Sequence, residues 1–144
     1  MSIEPNRTLA RLKRPLLYVM GPLYVVAGVL HFVAPKVYAQ VVPPELPRPL
    51  DLVYLSGIAE VALGVGVLIP RTRRASAWGL VALLAAVFPA NLHMAVRDVT
   101  VEGVPAWMRD PPDAALWARL PLQGVLALWA WWYTRPMPDE DGAP

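Results

Sequence analysis

Hydrophobic residues along this chain gather into four long runs, separated by short joints rich in charge or proline. Residues 15–34, PLLYVMGPLYVVAGVLHFVA, contain no acid or base other than His31. Residues 50–70 have Asp51 at the edge and Glu60 inside, residues 75–96 are apolar up to Asn91 and His93, and residues 114–134 are interrupted by Arg119, Pro121 and Gln123. Crossing hydrocarbon takes about 20 helical residues, and each run has that length. The runs are continuous rather than alternating, which argues against a membrane β-barrel. Lipid offers no partner to a free backbone group, so helix is forced on these segments whatever the helical preference of their valines and prolines in water. The pattern predicts an all-α fold: a transmembrane four-helix bundle, antiparallel and up-down, with helices at about 15–34, 50–70, 75–96 and 114–134. Pro22, Pro89 and Pro121 fall inside the spans and predict kinks.

The joints refine this picture. Residues 71–74 form so short a connection that the second and third helices must be antiparallel neighbours. Residues 35–49, PKVYAQVVPPELPRP, are too proline-rich for a long helix, although 37–42 fits a short interfacial turn. Residues 97–113 carry Trp107 and Met108 among charges and fit the outer surface. The layout is therefore a basic N-terminal segment (1–14), a helical membrane domain (15–134) and an acidic, disordered tail (135–144). Small residues mark faces where helices can approach closely: Gly57 with Gly64, Gly79 with Ala82 and Ala86, and Gly124 with Ala127.

Composition agrees with a membrane solvent. A chain of 144 residues holds one domain, its charged fraction is 17%, and its mean hydropathy is +0.42; a soluble domain carries about 25% charged residues. The net charge of +2 is sorted along the chain, with eight basic residues at the two termini and the 71–74 joint against four in the other joints. The positive-inside rule then places both termini in the cytoplasm of a multi-pass cell-membrane protein. A rival reading takes the basic start, the first apolar run and Val37-Tyr38-Ala39 as a secretory signal with its cleavage site. The run is longer than the about 7–15 residues of such a signal, and Pro35 crowds the cut; a mature N-terminus at Gln40 would mark cleavage. Nucleic acid is not an expected partner, because the aromatics lie in apolar runs rather than between basic residues. With no cysteine, disulfides, thiolate zinc sites and iron–sulfur clusters are excluded, and two histidines are too few for an all-histidine metal site in one chain.

Depth locates the chemistry. At about 1.5 Å per residue, Glu60 lies roughly 15 Å below the outer start of the second helix, with Ser56 one turn above it. His31, Asn91, His93, Arg119 and Gln123 fall within roughly 5–14 Å of the same boundary, and Arg119 and Gln123 share a helix face. The outer half of the bundle is thus polar, and the inner half is nearly all apolar. Ionisable groups at this depth are costly unless paired, and they face the bundle interior. One expectation is a pocket open to the outside, lined by His31, Ser56, Glu60, Asn91, His93, Arg119 and Gln123, with Glu60 at its floor and Arg119 as counter-charge. The alternative is a structural Glu–Arg or Glu–His lock. Asn91 can also be read as repairing the Pro89 kink, and His31 as an interfacial group meeting water or a headgroup. No residue stands out as catalytic.

Several of these pieces together resemble a known family. The His31-Phe32 end of the first helix, Pro43-Pro44 and Leu46-Pro47, Leu55-Ser56-Gly57 with Glu60, Pro70-Arg71-Thr72-Arg73-Arg74, and Phe88-Pro89-Ala90-Asn91 lie in order within residues 23–96. That stretch resembles the DoxX-like membrane proteins of bacteria and archaea. The resemblance implies a four-helix membrane bundle. It also implies a redox setting, since relatives include a small subunit of archaeal thiosulfate:quinone oxidoreductase; Glu60 and Asn91 match the family pattern without an assigned role. A related branch associated with disulfide chemistry cannot transfer its role to a chain without cysteine. The expected function is a non-catalytic, accessory membrane subunit of a redox system. Quinone is its candidate cofactor, and the bilayer, a soluble redox partner and a second copy of the chain are its candidate partners. The alternative is a membrane anchor, or a lipid-binding, small-ligand-binding or transport protein with no redox role; a transporter would have to dimerise, since one copy shows no inverted repeat.

Overall fold

Helix boundaries follow proline and helix-former placement in this computed structural model, which describes residues 7–97 and 99–138. The elements are α1 (Arg7–Val33), α2 (Pro35–Ala39), α3 (Pro49–Leu68), α4 (Arg73–Val96), α5 (Ala106–Arg109) and α6 (Asp113–Trp132). There is no strand among the described residues. Pro35 and Pro49 stand at the starts of α2 and α3, where a missing N–H costs no helical hydrogen bond. Helix α1 starts two turns before the apolar run, at Arg7 rather than 15, because alanine, leucine, arginine and lysine at 9–14 are strong helix formers that water tolerates. Helices α1, α3 and α4 are long and apolar enough to cross a membrane. Helix α6 has the length but is not among those three, and it carries Asp113, Arg119 and Gln123.

The long helices pack side by side in the order α1, α3, α4, α6. The first contact rests on glycine. Gly28 lies against Gly57 and Gly21 against Gly64, so closely that a Cβ at Gly28 would stand 2.7 Å from the Gly57 carbonyl oxygen. At the next seam Gly66 faces Ser76, and Gly79 faces Leu63. At the third, Gln123 meets Leu84 and Asn91, and Arg119 meets Met94. One end of the molecule therefore holds the start of α1, the α3–α4 turn and the end of α6; the opposite end holds α2 and α5.

The termini end carries the densest core, where Leu17, Met20, Val67, Ala77, Leu80, Ala130 and Tyr133 are buried together. Here the basic residues read as a topology signal also act as caps. Arg73 donates from Nε to the Val67 carbonyl (2.9 Å), and Thr72 Oγ1 donates to that of Gly66 (2.8 Å), closing the C-terminus of α3. Lys13, buried at 4% exposure, donates to the carbonyls of Arg135 (3.1 Å) and Pro136 (2.8 Å), while the Tyr133 hydroxyl donates back to the Lys13 carbonyl (2.9 Å). The start of the tail is consequently packed: Met137 is 1% exposed in the core, which corrects the expectation of a disordered tail for residues 135–138. The acidic residues expected to complete that tail, 139–144, lie outside the described residues.

At the loop end, Gln40 ties the two long joints together. Its amide nitrogen donates to the Glu102 carbonyl (3.0 Å), and its oxygen accepts from the Glu102 N–H (2.8 Å). Gly103, at φ +83°, makes the left-handed turn just beyond that clasp.

Candidate functional site

The α1–α3 register brings His31 to Glu60. His31 lies three residues, about one turn, from the Gly28–Gly57 contact toward the loop end, and Glu60 about one turn from it toward the termini end, and their side chains meet beside it. Nδ1 of His31 stands 2.8 Å from the Ala27 carbonyl oxygen and 3.0 Å from Glu60 Oε2. A carbonyl can only accept, so Nδ1 carries the ring hydrogen and directs it to Ala27. Glu60 Oε2 sits beside the ring as a charge neighbour and has no aligned hydrogen bond of its own. The pair is largely shielded, at 11% and 15% side-chain exposure. Tyr38 of α2 roofs it by stacking on the imidazole, with centroids 4.0 Å apart. Burial pushes the Tyr38 hydroxyl above its ordinary pKa, and the Glu60 charge adds to the effect. Below the pair, Tyr24 is buried, and its hydroxyl has no hydrogen-bond partner among the described residues.

A second polar cluster lies on the other side of the molecule, between α4 and α6. Asn91 Nδ2 donates to Gln123 Oε1 at 2.7 Å, and Gln123 Nε2 donates to the Leu84 carbonyl. That bond falls beside the break that Pro89 makes in the α4 ladder, since Pro89 has no N–H for the carbonyl of residue 85. Gln123 also forms part of the wall of an open apolar groove of about 280 Å³ lined by Val81, Leu84, Ala85, Phe88, Leu120, Gly124 and Ala127. The groove continues past Leu128 to Trp131. Arg119, one turn toward the loop end from Gln123, is exposed, and its Nη1 contacts the Met94 sulfur, at 3.4 Å.

The expected single pocket is thus divided. The structure unites His31 with Glu60, and Asn91 with Gln123, but on different helix pairs. The neighbour of Glu60 is His31 and not Arg119, because Glu60 faces α1 while Arg119 faces α4. His93, half-buried on α4, and Ser56, half-buried one turn above Glu60, join neither cluster. The opening expected toward the outside is covered over His31 by Tyr38. Tyr24 and Tyr38 were not among the expected residues. Tyr24 was available to periodicity, standing seven residues before His31 on one face of α1. Tyr38 was not, because its place depends on how α2 folds back.

A family model described as a domain of unknown function (DUF8561) matches residues 20–134. No curated protein and no solved structure matches the chain.

Proposed function

We propose a role from the residues themselves, because this chain belongs to the DUF8561 family, a domain of unknown function. The protein is a four-helix bundle in the cell membrane with both termini cytoplasmic, and it is an accessory membrane subunit of a redox system, non-catalytic by itself, with quinone as the candidate electron carrier. Helix α6 is the fourth crossing: it matches α3 in length and packs antiparallel on α4, and Arg119 lies near the loop end, where its stem can reach the interface. The basic excess at the termini end supports the orientation.

The observation that carries the redox reading is the shielded His31–Glu60 pair, with an imidazole nitrogen 3.0 Å from a carboxylate oxygen. Reducing a quinone takes up protons as well as electrons. A carboxylate and an imidazole held together inside a membrane are groups that can pass protons. The free hydrogen-bonding capacity of Glu60 Oε2 and the Tyr24 hydroxyl lets such a proton be relayed deeper. Electrons come from a soluble redox partner at the membrane surface. The resemblance to DoxX-like proteins supports the redox direction.

Purification of the full-length protein at native expression tests this reading. A quinone should appear in its lipid extract and a soluble redox protein in its pull-down. Glu60→Gln should leave that assembly intact and slow quinone reduction by on the order of 10²-fold, the lower range for general acid–base participation. Absence of both quinone and partner, or an unchanged rate in Glu60→Gln, would leave the second reading, an anchor or lipid-binding protein without a redox role. The apolar groove between α4 and α6 favours that one.

A further inference from the structure

We infer that the α4–α6 seam is a binding site for an anionic phospholipid, its phosphate held by Arg119 and one acyl chain lying along the groove from Gln123 to Trp131. The inference rests on the membrane-spanning part of the reading above and is independent of the role given to His31 and Glu60.

The charge comes first. Arg119 stands six residues into α6, about 9 Å from its start. Among the described residues no carboxylate lies within 4.0 Å of it, and the α6 positions three and four residues away are Ala115, Leu116, Leu122 and Gln123. A guanidinium at this depth is costly unless its stem reaches a counter-charge at the headgroup level. Its one polar contact among the described residues is a thioether, a weak acceptor. Arg97, at the C-cap of α4 and one turn beyond His93, sets a second exposed cation toward the same end of this helix pair. A lipid phosphate satisfies Arg119 with charge-assisted bonds that no group of the chain offers.

The groove begins where that charge ends. Gln123 lies one turn below Arg119 on the same face of α6 and forms part of the groove wall. Each primary amide has two N–H donors, and Asn91 and Gln123 use one apiece on protein acceptors. The remaining donors lie about one turn below Arg119, at the head of the groove. From Gln123 to Trp131 the groove runs eight residues of helix, about 12 Å, lined by apolar side chains. Gly124 keeps it open: a Cβ there would meet nothing within 4 Å, so helix packing does not account for the absence of a side chain. A cation, then spare amide donors, then an apolar channel follow in the order of the parts of a phospholipid. A quinone would use the channel and leave the cation unmet.

The test uses the full-length protein in detergent micelles, with phosphatidylglycerol or phosphatidylcholine added, read by native mass spectrometry and thermal unfolding. Phosphatidylglycerol should bind at least tenfold more tightly. Arg119→Gln should bring the two lipids to parity, and Gly124→Leu, which fills the groove, should reduce binding of both while circular dichroism stays unchanged. Should Gly124→Leu fail to fold, retention of phosphatidylglycerol by the wild type and its loss in Arg119→Gln still decide the matter. Four outcomes overturn the inference: equal binding of the two lipids by the wild type; stabilisation by inorganic phosphate as strong as by phosphatidylglycerol; a co-purified quinone that Gly124→Leu expels; or a dimer that Gly124→Leu dissolves. Recovery of the chain without detergent would instead sink the membrane reading beneath it.

Discussion

Replacing Gly28 by alanine tests whether close glycine packing between α1 and α3 holds the His31–Glu60 pair. The added Cβ would lie 2.7 Å from the Gly57 carbonyl oxygen and 2.9 Å from the Val61 nitrogen. Both are backbone atoms of a helix and cannot swing aside. Ordinary contact requires roughly 0.7–0.8 Å more, so the helices must part by about that much. Overpacking of this kind costs about 1–3 kcal/mol, and alanine's helical advantage over glycine returns about 0.8–1.0 kcal/mol. The expected net loss is about 1 kcal/mol and at most about 2. About one turn away, the same separation would carry the pair from 3.0 Å to nearly 3.8 Å and weaken their electrostatic interaction. Gly124→Ala is the matched control: its Cβ meets nothing, so it should gain roughly 1 kcal/mol or less. Denaturant titration of the purified protein in detergent reads both variants. Glu60→Gln, made in the wild-type and Gly28→Ala backgrounds, should cost less in the second, because the pair is already parted. If Gly28→Ala gained stability as Gly124→Ala does, or if Glu60→Gln cost the same in both backgrounds, the contact would not be what positions the pair.

Three further outcomes are expected. Lys13→Met removes two hydrogen bonds from a buried ammonium and frees the carbonyls that follow α6, so the thermal midpoint should fall with a loss of at least about 1.5–3 kcal/mol, and a broad-specificity protease should cut the 133–138 segment faster. Gln40→Ala breaks the clasp between the two long joints; its exposed position limits the cost to about 1 kcal/mol, yet hydrogen exchange at the Glu102 amide should quicken markedly. Tyr38 should ionise at higher pH than free tyrosine, since burial first and the Glu60 charge second both disfavour the phenolate. In an ultraviolet titration assigned with Tyr38→Phe, Glu60→Gln should move that step part of the way back toward the ordinary value, and an unmoved step would mean that the carboxylate does not face the ring.

Sequence alone determined the helical class and the four long helices, three of them apolar enough to cross a membrane, because run length and apolar content are local properties of the chain. It also placed each polar residue along its own helix, since distance along a helix is a matter of counting. The glycine pair Gly57–Gly64 was legible as a contact face for the same reason, since a period near 3.6 can be read from one strand of sequence. What it did not determine is which polar groups meet. His31 and Glu60 are 29 positions apart in the chain, as are near-misses such as Glu60 and Asn91 at 31, so separation carries no information about partnership. Partnership depends on each helix's rotation about its own axis, and that is fixed jointly by how Gly28 seats on Gly57, how Gly66 seats on Ser76 and how α2 folds back over His31. Only the tertiary structure sums those contacts, which is why one imagined pocket became two clusters, and why Lys13 and Arg73, visible in the sequence as positive charge, proved to be fasteners of helix ends as well.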